Sequence, residues 1–197
     1  MKRWITIGFI GMAAVGAGCR NERTAAMAER KGVVTFKGNP LTLVGPALKV
    51  GQPAPEATLL GNDLTAKRVS SYKGKVVILS AVPSLDTAVC DIQTHKFNEM
   101  AQALGPDVVV VTVSMDLPFA QKRWCGASGL SQVVTLSDHR EASFGTAYGV
   151  LVKELRLLAR SVFVVDRQGV IRYMQIVHEM TQEPDYEAAL KAAKALL

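Results

Sequence analysis

Cys90 is the residue of this 197-residue chain best placed to do chemistry. It follows Pro83 by seven positions and Thr87 by three. Before this segment lies an apolar run at 76–79. After it Phe97, Met100, Ala101 and Leu104 recur at the spacing of one helix face. With Thr87 as N-cap, Cys90 falls three residues inside the helix, where unsatisfied amides and the helix dipole favour a thiolate. The thiolate is the nucleophilic form of cysteine, and thiol pKa values at such positions fall below the free value of about 8.5. The competing reading is a small buried hydrophobe, the commonest role of a free cysteine. Histidine chemistry fits less well. His95 is five residues from Cys90, about 500° around a helix, so the two do not share a face. With His139 and His178 the sequence offers no His-x-x-x-His or Cys-x-x-Cys ligand spacing.

The elements that must hold Cys90 alternate between strand and helix. Residues 33–37 and 41–44, joined by Gly38-Asn39-Pro40, read as a hairpin. The run at 76–79 reads as a buried strand, and 108–113 as the clearest strand of the chain. A long helix follows Pro83, with Val89 and Ile92 extending its apolar side, and Gly105-Pro106 ends it. A short helix after Pro118, a strand at 133–136 and a helix near 141–147 come next. Two strands at 161–166 and 170–177 precede a last helix opened by Pro184. Strands separated by helices predict an α/β sheet with helices on both faces and an antiparallel element at the end.

Composition narrows the function. Nearly half the residues are hydrophobic (49%) and a fifth charged (20%), which excludes disorder, and three cysteines are too few for a disulfide scaffold. The net charge of +6 is scattered, with no run of five like charges, so it reads as a solvated surface and predicts no nucleic-acid partner. At the N-terminus, Lys2-Arg3 precede an apolar stretch at 4–17, the pattern of a secretory signal. That stretch is shorter than the roughly 20 apolar residues of a membrane span, although an anchoring helix is the alternative. Gly16-Ala17-Gly18-Cys19 resembles a bacterial lipobox, which predicts lipidation of Cys19; Ala26-Met27-Ala28 is a competing cleavage site. The expected organisation is a signal peptide at 1–18, a tether at 19–32 and one domain at 33–197, exported to the periplasm or cell envelope and held at the membrane.

The segment Pro83-x-x-x-Thr87-x-x-Cys90 resembles the active-site motif of peroxiredoxins. The likeness continues through residues 116–121, Cys125-Gly126 and residues 183–190, which resemble the bacterial thiol peroxidase branch of atypical two-cysteine peroxiredoxins. It covers nearly all of the chain from about Val34. The resemblance implies a thioredoxin-like fold with an N-terminal hairpin, a homodimer, and no metal, flavin or nucleotide cofactor. It implies that Cys90 is the peroxidatic cysteine and Cys125 the resolving one, with Thr87 and Pro83 as motif partners. Arg160 matches the arginine that supports the thiolate, and a cation there offsets the negative charge of Asp86. By itself Arg160 reads as an exposed arginine at a strand edge. The implied substrates are hydrogen peroxide and alkyl hydroperoxides, and the implied reductant is a thioredoxin-like dithiol.

Two positions depart from the family pattern. Val82 stands where an aromatic residue is common, and Trp124 where phenylalanine often precedes the resolving cysteine. A rival, non-enzymatic reading makes a Cys90–Cys125 bridge a staple worth roughly 3 kcal/mol in a binding protein. A thioredoxin-like reductase is a further rival, but it requires the Cys-x-x-Cys pair that this chain lacks.

Overall fold

The computed structural model describes residues 28–130 and 132–197. The chain runs through β1 (Glu29–Phe36), β2 (Asn39–Val44), β3 (Thr58–Leu60), β4 (Ala66–Arg68), a 3-10 turn at Val69–Tyr72, and β5 (Val76–Ala81). Then come α1 (Ala88–Leu104), β6 (Val108–Ser114), α2 (Pro118–Ser128), β7 (Val133–Ser137) and α3 (Ser143–Ala147). The chain ends with β8 (Leu151–Val152), β9 (Leu157–Leu158), β10 (Ser161–Val165), β11 (Ile171–Ile176) and α4 (Tyr186–Lys194).

Seven strands form one mixed sheet in the order β11-β10-β5-β6-β7-β3-β4. Strands β5, β6 and β7 are parallel neighbours, and β10 runs antiparallel to β5. Both faces are covered, which is why the central strands read as unbroken apolar runs. Alternate residues sort to opposite sides. Val76, Ile78, Val108, Val110, Val162 and Val164 face Phe97, Ala101 and Leu104 of α1 and Ala189 and Ala193 of α4. Val77, Leu79, Val111, Val113, Phe163 and Val165 face the other way, onto Phe144 and Tyr148 around α3 and onto Val34, Leu43, Val152 and Leu158. Helices lie on both faces, as the sequence predicts, but on the second side they are not alone. A four-stranded sheet, β1-β2-β8-β9, shares the cover with the single short helix α3. Strands of two residues, such as β8 and β9, are too short to leave a periodic signal in the sequence.

The hairpin turns at Lys37 (φ 50°) and Gly38 (φ 79°), both left-handed as a two-residue hairpin loop requires. Strand β1 starts at Glu29, so the last residues of the expected tether are paired in the sheet. The signal segment and Cys19 lie outside the described residues. Gly149 (φ 65°) passes so close to Pro46 that a Cβ would sit 2.0 Å from its carbonyl oxygen, fixing how the hairpin meets the body.

Helix α1 departs from its expected apolar face. Ile92 is 42% exposed. Cys90, Gln93 and Thr94 point inward instead. The first two turns of α1 lie over the polar ends of the strands, where Ser80 continues the register of Val76 and Ile78, so polar groups are needed inside.

Glu179 ties the hairpin to the segment after β11. Its carboxylate accepts from the amides of Lys37 (3.0 Å) and Gly38 (2.9 Å), from the Thr35 hydroxyl (2.8 Å), and from the Thr181 hydroxyl (2.7 Å) and amide (3.0 Å). These donors, the Gly38 amide foremost, hold its carboxyl far below the usual carboxylate range. A carboxylate with a depressed native pKa stabilises the fold above its unfolded value, here 4.5, and that contribution fades as pH falls. Chemical denaturation of Glu179→Gln against the unmodified chain should therefore show the largest stability gap at neutral pH. The gap should narrow steadily below about pH 4.5.

Candidate active site

The site begins where β5 ends. Val82 donates its amide to Val113 (3.0 Å), and the chain then leaves the sheet through buried Pro83. Asp116, just after β6, holds the loop in place. Its carboxylate accepts from the Ser84 hydroxyl (2.7 Å), the Leu85 amide (2.8 Å) and the Ser114 hydroxyl (2.7 Å). Thr87 is the N-cap of α1, as the sequence predicts, but its hydroxyl does not cap the backbone. It lies 2.9 Å from Cys90 Sγ and 3.1 Å from the carbonyl of Ser84. The first backbone bond of α1 runs from the Asp91 amide to the Thr87 carbonyl (3.0 Å). The amides before it belong to the first turn, where backbone donors lack helical acceptors and suit an anionic oxygen.

Cys90 is fully buried, packed with Val82, Leu85 and the ring of Trp124. Arg160 reaches it from the residue before β10, and its Nη2 lies 3.4 Å from Cys90 Sγ. The exposed-edge reading of Arg160 fails, because the side chain is only 2% exposed. A buried cation must be paired and hydrogen-bonded. Arg160 Nε donates to the carbonyl of Met180 (3.0 Å), and Nη1 donates to Gln93 Oε1 (2.5 Å). Gln93 Nε2 in turn donates to the Ser80 hydroxyl (2.8 Å). The amide therefore bridges Ser80 of β5 and Arg160, with its oxygen toward the cation, and the sulfur takes the guanidinium's remaining edge. A positive charge aimed at Sγ in a dry pocket stabilises negative charge on it.

The structure thus brings together Cys90, Thr87 and Arg160, and leaves Pro83 buried in the loop between β5 and α1. Cys125 lies elsewhere, in the last turn of α2, with its Sγ 3.3 Å from Thr135 Oγ1. Both thiols are free, on separate helices and with separate neighbours, so the stapling bridge of the rival reading is not formed. Cys19 lies outside the described residues. The three histidines are dispersed: His95 is 3.7 Å from Asp91, His139 bonds Ser137, and His178 bonds the carbonyl of Val33. Among the described residues no group of three His, Cys, Asp or Glu is placed to hold a metal ion.

Sequence reasoning missed Gln93, Ser80, Asp116 and the Met180 carbonyl. Gln93 carried a usable signal, since it sits at i+3 from Cys90 on a predicted helix and must share its face. The others become neighbours of the site only through the sheet.

The comparisons fit this geometry. A Redoxin family profile matches residues 49–190. The chain belongs to the Redoxin family. The thiol peroxidase of Bacillus subtilis is 58% identical over 164 residues, covering 83% of this chain and 98% of that protein. The thiol peroxidase of Listeria innocua is 58% identical over 161 residues, covering 82% and 97%. A solved peroxiredoxin-like protein from Aquifex aeolicus superposes with a TM-score of 0.79 at 46% identity, covering 83% of this chain and 96% of that one. In this Redoxin chain the sheet and its two flanking layers are thioredoxin-like, as the sequence implied.

Gln93→Leu removes the bridge while keeping the volume. It should cost about 1–3 kcal/mol in denaturant unfolding, because Arg160 and Ser80 lose a buried partner. It should also slow alkylation of Cys90 by iodoacetamide at neutral pH by about tenfold or more, as the guanidinium is freed to turn away.

Proposed function

We propose that Cys90 is the peroxidatic thiol and Cys125 the resolving thiol of a thiol-dependent peroxidase. The observation that carries this reading is the Cys90 sulfur held between the Thr87 hydroxyl and the buried Arg160 guanidinium at a helix start. The chain is a peroxiredoxin-type oxidoreductase, and its chemistry is thiol-dependent reduction of peroxide. The Cys90 thiolate attacks the terminal oxygen of a hydroperoxide. The O–O bond breaks, Cys90 becomes a sulfenic acid, and the departing oxygen leaves as water or an alcohol after taking a proton. Thr87 and Arg160 orient the peroxide and offset the charge that develops on the departing oxygen. The Cys125 thiol then displaces water from the sulfenic acid to form the Cys90–Cys125 disulfide. A thioredoxin-like dithiol restores both thiols by exchange. Because the two sulfurs sit on separate helices, disulfide formation requires local opening of the start of α1 or the end of α2.

Hydrogen peroxide and alkyl hydroperoxides are the substrate class of this reading. The apolar stretch after Lys2-Arg3 and the small residues before Cys19 support export and lipid attachment at the cell envelope. A homodimer completes the reading. Leu117 and Phe119, 52% and 63% exposed at the start of α2, give it an apolar patch. Phe119→Glu should shift the sedimentation velocity of the chain from dimer to monomer; an unmodified chain that sediments as a monomer sinks this part.

The decisive experiment mixes the reduced full chain with one equivalent of hydrogen peroxide and follows both cysteines by peptide mass spectrometry. A Cys90 sulfenic acid should appear first and convert to the Cys90–Cys125 disulfide. Cys125→Ser should complete one turnover, then accumulate sulfenic and sulfinic Cys90 and stop recycling with a dithiol reductant. Thiols that persist for minutes in the unmodified chain would exclude a peroxidase.

A further inference from the structure

Trp124 and Asp91 are each one residue from a cysteine of the proposed pair. The side chain that α2 presents to the Cys90 pocket is the indole of Trp124, packed against Val82, Leu85 and Cys90. Trp124 Nε1 donates to Asp91 Oδ1 at 3.1 Å. His95, one turn further along α1, lies 3.7 Å from the same oxygen and meets the indole edge-on, with ring centroids 6.0 Å apart. The indole is therefore held on two sides by one face of α1. Cys125, beside it, has its sulfur against Thr135 instead.

We propose that the Trp124–Asp91 hydrogen bond is a latch that sets how long the Cys90 sulfenic acid survives before Cys125 reaches it. The inference rests on the reading of Cys90 and Cys125 as peroxidatic and resolving thiols. A disulfide needs Cβ atoms about 3.5–4.5 Å apart, so the turns that carry the two sulfurs must move toward each other. Asp91 lies in the same turn as Cys90 and Trp124 in the same turn as Cys125. Opening either helix end separates donor from acceptor. A phenylalanine at 124 could pack on Val82 and Leu85, but it has no N–H to offer Asp91. The indole adds a directional bond to the closed form, in which Cys90 meets peroxide, and the open form must do without it.

The consequence is a kinetic partition. In the open form Cys125–SH attacks Cys90–SOH, giving the disulfide and one water. In the closed form a second hydroperoxide oxidises Cys90–SOH to the sulfinic acid and leaves as its alcohol or water. A tighter latch lengthens the life of the sulfenic acid and lowers the peroxide concentration at which over-oxidation competes. Trp124 and Asp91 set this partition through the opening of the helices, after the sulfenic acid has formed.

The test uses the reduced full chain with Trp124→Phe and, separately, Asp91→Ala, which leaves the indole in place. Quenched-flow mass spectrometry follows sulfenic acid, disulfide and sulfinic acid after addition of hydrogen peroxide. Both variants should convert the sulfenic acid, once formed, to the disulfide about three- to tenfold faster than the unmodified chain. The peroxide concentration that over-oxidises half of Cys90 should rise by the same factor. The double variant should resolve no faster than either single one, since both remove the same bond. Disulfide formation at an unchanged or slower rate in both variants, with unchanged sensitivity to over-oxidation, overturns the latch. An unmodified chain that forms no Cys90–Cys125 disulfide overturns the reading on which the latch rests, and the two failures are told apart in the same time course.

Discussion

The fold around Cys90 depends on one buried cation. Arg160 is almost wholly enclosed, and a guanidinium in such a place is tolerable only when its donors are matched. Met180 supplies a carbonyl, Gln93 an amide oxygen, and the sulfur of Cys90 takes what remains. Two of these partners belong to α1 and one to the segment after β11, and Gln93 reaches on to Ser80 of β5, so meeting the needs of one side chain locks all three elements around the thiol. The charge that must be satisfied is also the one that faces the sulfur, 3.4 Å away.

The same enclosure creates a difficulty for turnover. A pocket that keeps Cys90 dry and fixed also keeps it from Cys125, whose sulfur rests against Thr135 on β7. Helix ends are the part of a fold that opens at least cost, and both cysteines lie in terminal turns, Cys90 at the start of α1 and Cys125 at the end of α2. The core of the sheet, built from the alternating faces of β5, β6 and β10, is left undisturbed by such opening. The proposed chemistry and rearrangement are thereby confined to the rim at the ends of the parallel strands.

Asp116 shows how that rim is kept in order. Three donors converge on its carboxylate, two of them from the loop that follows β5. The position of Thr87 over the sulfur follows from this anchor rather than from capping, since the threonine hydroxyl makes no bond to the backbone of α1. Glu179 does comparable work on the far side, binding the hairpin turn next to the residue whose carbonyl holds Arg160.

What the sequence by itself determined was local or carried by resemblance. The period of Phe97, Ala101 and Leu104 marks α1, the unbroken apolar runs mark the central strands, and Gly105 ends the helix. The Pro83, Thr87 and Cys90 spacing places a thiol at a helix start whatever the rest of the chain does. Only the tertiary structure decided the rest. Arg160 reads as a surface residue until strand register carries it beneath α1, seventy positions from the cysteine it faces. Ile92 reads as part of the apolar side of α1 until the polar ends of the strands draw Gln93 and Thr94 inward and leave it exposed. Helical and strand periods are written in neighbouring residues, but the partner of a buried charge is chosen by how distant strands pair, and one segment read alone holds no record of that choice.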